Sequence, residues 1–354
     1  MANTKAETKN ITARIKEIKR EDVTGFLLNY ALYFILGTLL VIVIIIDPKF
    51  ASVTNIINII KQASTKGILA LGVAGLIVLA GTDLSIGRVM GFAAAVTASL
   101  VQSVTYSARY YPQLTEPVNL LIPLLLSIVI ATAFSLINGF GAAYLRMHPF
   151  IVTLGTQLIA FGCNCIYIER QPSGTAQALS TFGRNFLDKA AGSFSVGEIK
   201  IPFVVIYFLI CAFLVHVIWT RTKLGKNMFA VGGNEEAARV SGVSVPQTIM
   251  LVYLMAGICY GIAAFLETAR VQSVGANTGI NYELDAISAC VIGGVSFFGG
   301  VGTIMGVVIG SILLQSINYS LYFLGVNAYM QYIIRGLIII IAVAIDVRKY
   351  IAKR

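Results

Sequence analysis

About ten apolar stretches, most of them near twenty residues long, divide this chain, and only 12% of its 354 residues are charged. An ordinary soluble domain has roughly 25% charged residues, and about 20 consecutive apolar residues is the length that crosses a hydrocarbon core of about 30 Å. Inside lipid the backbone N–H and C=O groups must be satisfied within the protein, which leaves helices or closed barrels. Runs of this length specify helices. The chain is therefore read as an all-α polytopic membrane protein of about ten transmembrane helices, some of them short or discontinuous.

The expected spans are residues 26–46, 57–80, 89–105, 118–140, 150–168, 201–220, 248–268, 284–298, 301–318 and 328–346. The second is less clean than the rest: Lys61, Gln62 and Lys66 leave an uninterrupted apolar run only from Gly67 to Ala80, short for a crossing. Residues 1–25 form a basic tail with neither the apolar core nor the small-residue cleavage site of a signal peptide. They are read as a solvated, amphipathic tail on the cytoplasmic surface, 26–346 as one transmembrane domain, and 347–354 as a second basic tail.

An even number of crossings puts both termini on one side. The net charge of +10 is concentrated in the tails and in the 221–247 loop, which carries Arg221, Lys223, Lys226 and Arg239. Positive charge marks cytoplasmic loops, so both termini and that loop of a multi-pass protein are expected in the cytoplasm. The charge has this topological explanation and no nucleic acid is expected as a partner. Under this count Lys61 and Lys66 fall on the outer half of their span, a conflict that a re-entrant or broken helix would ease.

The five cysteines all lie in apolar runs, and Cys163 and Cys165 are too closely spaced for a metal knuckle and lack a companion pair. His148 and His216 have no metal-binding spacing. No catalytic residue and no metal site is assigned, and the chain is not expected to be an enzyme.

Two glycine-rich interruptions stand out: "LAGTDLSIGRVMG" at 79–91 and "VIGGVSFFGGVGTIMGVVIG" at 291–310. Discontinuous helices in two halves of a transporter point to its pathway, whereas small residues alone also serve close helix packing. Asp83 adds a carboxylate at membrane depth, where a charge is costly unless paired, hydrated or capping a helix. With Ser85 it is placed to cap a helix starting near Ile86, or else to line the pathway. Glu283 and Asp285 pose the same problem. Two residues apart on a helix, they point about 200° apart and make no facing pair of the kind a glycosidase uses. Arg270, Glu267 or Arg335 are their candidate partners. Thr153, Thr156, Asn164, Gly293 and Gly294 complete the pathway or gating candidates, with Asn138 another source of interhelical hydrogen bonds.

The segment "VGGNEEAARVSGVSVP", 231–246, lies between two long apolar runs and is too polar to be buried in lipid. Asn234 is a good N-cap, Glu235 and Glu236 oppose the positive end of a helix dipole, Ala237, Ala238 and Arg239 continue it, and Gly242 after Ser241 supplies a left-handed stop. Pro246 then opens the next helix where its missing N–H costs little. The unit is a helix of about two turns lying along the membrane surface, too short to be stable alone in water. The chain has no phosphate-binding loop of its own, so nucleotide energy would enter from another polypeptide.

"GTDLSIGR", "PFIVTLGT", "GKNMFAVGGNEEAARVSGV" and "YELDAISACVIGGVSFFGGVGT" together resemble the permease subunits of bacterial ABC sugar importers of the ribose and galactose class. The resemblance runs from about residue 30 to the C-terminus. It implies a permease homodimer in lipid, joined to an ABC ATPase subunit that binds ATP and Mg, with no cofactor in this chain. It also implies a periplasmic or surface-anchored sugar-binding protein, for which the 169–200 segment is the candidate dock. Residues 234–242 become the helix that couples to the ATPase. The implied cargo is a monosaccharide, galactose, methyl-galactoside or glucose before ribose, xylose or a nucleoside. The competing reading is a secondary sugar carrier, driven by ions through Asp83, Glu283 or Asp285.

Overall fold

The computed structural model describes residues 34, 36–171, 178–197 and 199–352. The N-terminal tail, the start of the first expected span and the last two residues lie outside them. The described chain is mostly helical: α1 (Leu36–Ile46), α2 (Val53–Val78), α3 (Ile86–Leu100), α4 (Leu121–Ala143), α5 (Pro149–Glu169), α6 (Arg184–Ala190), α7 (Phe203–Arg221), α8 (Lys223–Gly233), α9 (Glu235–Val240), α10 (Val245–Val271), α11 (Tyr282–Ile292), α12 (Ile304–Phe323) and α13 (Ala328–Ala352). Between α6 and α7 an antiparallel hairpin pairs β1 (Ser193–Val196) with β2 (Ile199–Pro202), Ser193 opposite Pro202.

Among the described residues six helices are long and apolar enough to cross a membrane: α4, α5, α7, α10, α12 and α13. This makes the chain a multi-pass membrane protein. α1, as far as it is described, and α3 are apolar but shorter, and α11 rises only about 16 Å at 1.5 Å per residue. Helix α10 is the hub, packed against α4, α2 and α3; two thirds of its apolar window, 67%, is buried, against 28% for α4 and α5. The weakly buried helices turn bulky residues such as Leu125, Val129, Ile151 and Leu158 outward, as expected of surfaces facing acyl chains.

The expected break in the second span is overturned. α2 is continuous for 26 residues through Lys61, Gln62 and Lys66. The helix accommodates a lysine at this depth because Lys66 Nζ meets Asp285 Oδ2 of α11 at 2.6 Å, so the charge enters the interior paired. The interruption at 79–85 is where sequence placed it, with Ala80 in a left-handed conformation (φ +57°). The second interruption occupies 293–303, between α11 and α12. The connection at 272–281, left between two expected spans, is also non-helical, and it packs into the protein, Ala276 O accepting from Asn164 Nδ2 at 3.2 Å. Irregular backbone at membrane depth is tolerated where protein groups satisfy it in this way. The 169–200 segment contains α6 and most of the hairpin, and residues 172–177 of it are outside the described residues.

Candidate functional site

Helix α9 is built by the local rules its sequence announces. Asn234 is its N-cap, and the side chain accepts from Ala237 N at 2.9 Å. Glu235 and Glu236 occupy the first turn, and Arg239 reaches back to them at 2.6 and 3.3 Å. At the other end Gly242 is left-handed (φ +82°), with Val243 N donating to Ala238 O at 3.0 Å and Gly242 N to Arg239 O at 3.0 Å, the double closure that satisfies the last carbonyls. Ser241 Oγ bonds Ala237 O at 2.8 Å. Its six residues make about 1.7 turns at 3.6 residues per turn, close to the two expected.

Tertiary packing provides the stability such a short helix lacks. Ala238 is buried with Val231 of α8 and Val245 of α10 in a small apolar cluster. The outer face carries charge and one exception, Val240, which is 88% exposed. The sequence reading passed over Val240; an apolar side chain placed outward at the tip of a polar helix was the available signal.

Helix α8 carries this unit onto both predicted interruptions. Gly232 lies so close to Val78 at the end of α2 that an added Cβ would stand 1.7 Å from Val78 O and 2.9 Å from Gly300 N. Gly300 N itself donates to Val78 O at 2.9 Å. Three backbones therefore meet without intervening side chains: the end of α2 before the 79–85 turn, the 293–303 turn, and α8. Spacing in the sequence gave no sign of this junction.

The first interruption is tied down by buried polar groups. Asp83 Oδ1 accepts from Ser85 N at 2.8 Å and from Ser85 Oγ at 2.6 Å, and Tyr260 OH donates to Oδ2 at 3.3 Å. Asn138 Nδ2 donates to Ser85 Oγ at 2.9 Å, and Leu84 N to Thr153 Oγ1 at 3.1 Å. Asp83 thus closes the turn leading into α3, whereas the Ser85 side chain, expected to share the capping, makes no cap bond to α3. Thr156 bonds Val152 O within its own helix and Asn164 reaches the 272–281 stretch.

Glu283 and Asp285 both lie in the first turn of α11 and diverge. Asp285 takes Lys66 as its partner, not Arg270 or Arg335; Arg270 is held by Glu267 at 2.6 Å, and Glu267 also accepts from Tyr282 OH at 2.6 Å and Thr65 Oγ1 at 2.7 Å. Glu283 faces the start of α3, where a Cβ on Gly87 would stand 2.5 Å from Oε2. Gly293 and Gly306 pack backbone to backbone, and Gly294 is left-handed (φ +81°). The site residues therefore fall into two groups, α9 at one end and the carboxylates around α2, α3 and α11, linked through α8. Among the described residues no three His, Cys, Asp or Glu side chains gather to hold a metal.

A family described as "Branched-chain amino acid transport system / permease component" matches residues 55–343. The galactose/methyl galactoside import permease of Haemophilus influenzae is 45% identical over 92% of this chain and 95% of its own length. That of Escherichia coli is also 45% identical, over 95% of this chain and 99% of its own. The ribose import permease of Bacillus subtilis is 31% identical over 94% and 97% of the two chains. No solved structure matches the chain.

Proposed function

This chain belongs to the branched-chain amino acid transport system / permease component family, and we infer from that premise that it is the membrane permease subunit of an ATP-driven ABC importer for galactose or methyl galactoside. The observation that carries the reading is the 45% identity to two galactose/methyl galactoside import permeases across nearly the whole of each chain. Identity to a ribose permease falls to 31%, which favours a hexose over a pentose. The chain is a transport component and has no hydrolytic role of its own.

In this reading two copies sit in the inner membrane with ten crossings each and both termini in the cytoplasm. A separate ABC ATPase binds ATP and Mg, and an external binding protein delivers sugar. Residues 234–242 are the coupling element: α9 inserts Val240 and its charged face into the ATPase. Motion of α9 passes through α8 to the Val78–Gly232–Gly300 junction and so to both helix interruptions, a rigid lever acting on the places where helices are already broken. Asp83 and Ser85 hold the first of these turns, and the groups around Glu283 and Asp285 border the path.

The test is copurification with the cognate ATPase. Val240→Asp combined with Glu235→Arg changes only exposed positions on α9, so the permease is expected to insert normally and lose the ATPase. Undiminished recovery of the ATPase with this variant removes the coupling assignment.

A further inference from the structure

Between α11, α12 and α13 lies a cavity of about 90 Å³ bordered by Asn281, Asp285, Ser288, Leu314, Tyr332 and Arg335. Asp285 and Ser288 lie at i and i+3 on one side of α11, and Asn281 is its left-handed N-cap (φ +63°). The cavity lies level with the middle of α2: Lys66, which binds Asp285, stands thirteen residues into that 26-residue helix, about 20 Å from its first residue at 1.5 Å per residue. Its volume is several times the roughly 10–15 Å³ needed to admit one water. It therefore holds several hydroxyl-sized groups, an edge of a sugar ring and not a whole one.

The polar part of the lining, set among the apolar Leu284, Leu314 and Ile339, has groups suited to a hydroxyl-bearing ligand. Arg335 has no ion-pair partner among the described residues, and its Nε is buried without a hydrogen bond. A guanidinium at this depth is costly unless something meets it. Tyr332, one turn earlier on α13, has its ring centroid 5.9 Å from the Arg335 guanidinium carbon. Asn281 makes no capping bond to α11, so its amide is not committed there. Asp285 on the same wall is paired with Lys66, and a neutral hydroxyl can accept from Arg335 while donating to the Asp285 carboxylate.

Resting on the reading of the chain as a sugar permease, we propose that this cavity is a selectivity station at which one edge of the sugar ring is bound in transit, with Tyr332 covering the ring face. The permease then discriminates between sugars in addition to the external binding protein. Binding sites near the midplane suit alternating access because either side can reach them.

The experiment uses the permease reconstituted with its ATPase and binding protein, with radiolabelled galactose and glucose supplied separately and ATP hydrolysis measured in parallel. Arg335→Gln is expected to lower galactose uptake about tenfold, the loss of one charged hydrogen bond, and to change the galactose-to-glucose uptake ratio. ATP hydrolysis measured in parallel reports how much of each variant has assembled with its ATPase. Ser288→Ala and Tyr332→Leu are expected to change the ratio as well, and they decide the matter if Arg335→Gln fails to assemble. Equal losses for both sugars, or an unchanged ratio in the variants that assemble, would overturn the station while leaving the import function standing. If the wild-type complex imports neither sugar with ATP, the functional reading fails and the station with it.

Discussion

Glu235 and Arg239 of α9 meet at 2.6 Å with both side chains about half exposed, 53% and 48%. Glu267 and Arg270 of α10 also meet at 2.6 Å, but the carboxylate is 2% exposed and the guanidinium 15%. The distances are the same and the consequences differ. An exposed helical pair is worth a few tenths of a kcal/mol because water competes for both charges. A buried pair adds little net stability when intact, yet losing one partner strands a charge that water cannot reach. The α9 pair is free to be remade with a partner, whereas the α10 pair, joined by Tyr282 and Thr65, holds α2, α10 and α11 in one arrangement.

Replacing Glu267 with Ala breaks the comparison most severely. It should destabilise the permease by about 3–5 kcal/mol, the range for a buried pair deprived of one member, read as thermal unfolding in detergent. A loss below about 1 kcal/mol would mean that Arg270 is hydrated and the contrast with α9 is false. Gly232→Val comes next. Its side chain would occupy the space of Val78 O, and overpacking of this kind costs about 1–3 kcal/mol; ATP-driven uptake should fall further than stability does, because the junction transmits motion. Uptake that falls only in proportion to the folded fraction would remove that role.

Asn234→Ala sharpens the other side. Loss of the cap should cost about 1 kcal/mol locally, so hydrogen exchange at the α9 amides should quicken about fivefold while the unfolding temperature of the whole permease holds. Arg239→Ala has the smallest effect, below about 0.5 kcal/mol. A larger loss of stability would show that its pair with Glu235 is structural after all.

How far each region could be read from sequence follows the same division. The α9 unit was legible almost residue by residue, because an N-cap, acidic first turn and left-handed glycine act within a few positions of one another. The membrane class and the interruptions at 79–85 and 293–303 were legible from composition and glycine. What escaped depended on distant partners. Lys66 argued for a broken helix only while Asp285, 219 positions away, was unknown as its counter-charge. The stretch at 272–281 was legible as a loop from Gly275, Asn277, Gly279 and Asn281; its packing into the protein was not, because that rests on Asn164, 112 positions from Ala276. Nor could the meeting of Val78, Gly232 and Gly300 be read, since each glycine by itself is equally consistent with ordinary helix packing.

The account depends on energy entering through α9 from a separate motor. Its most direct test is accumulation of labelled galactose in proteoliposomes, comparing the full assembly supplied with ATP against vesicles that hold this polypeptide alone under a proton or sodium gradient. Uphill accumulation in the first and none in the second is the predicted result. Accumulation against the concentration gradient by the permease alone, at the expense of the ion gradient, would contradict it.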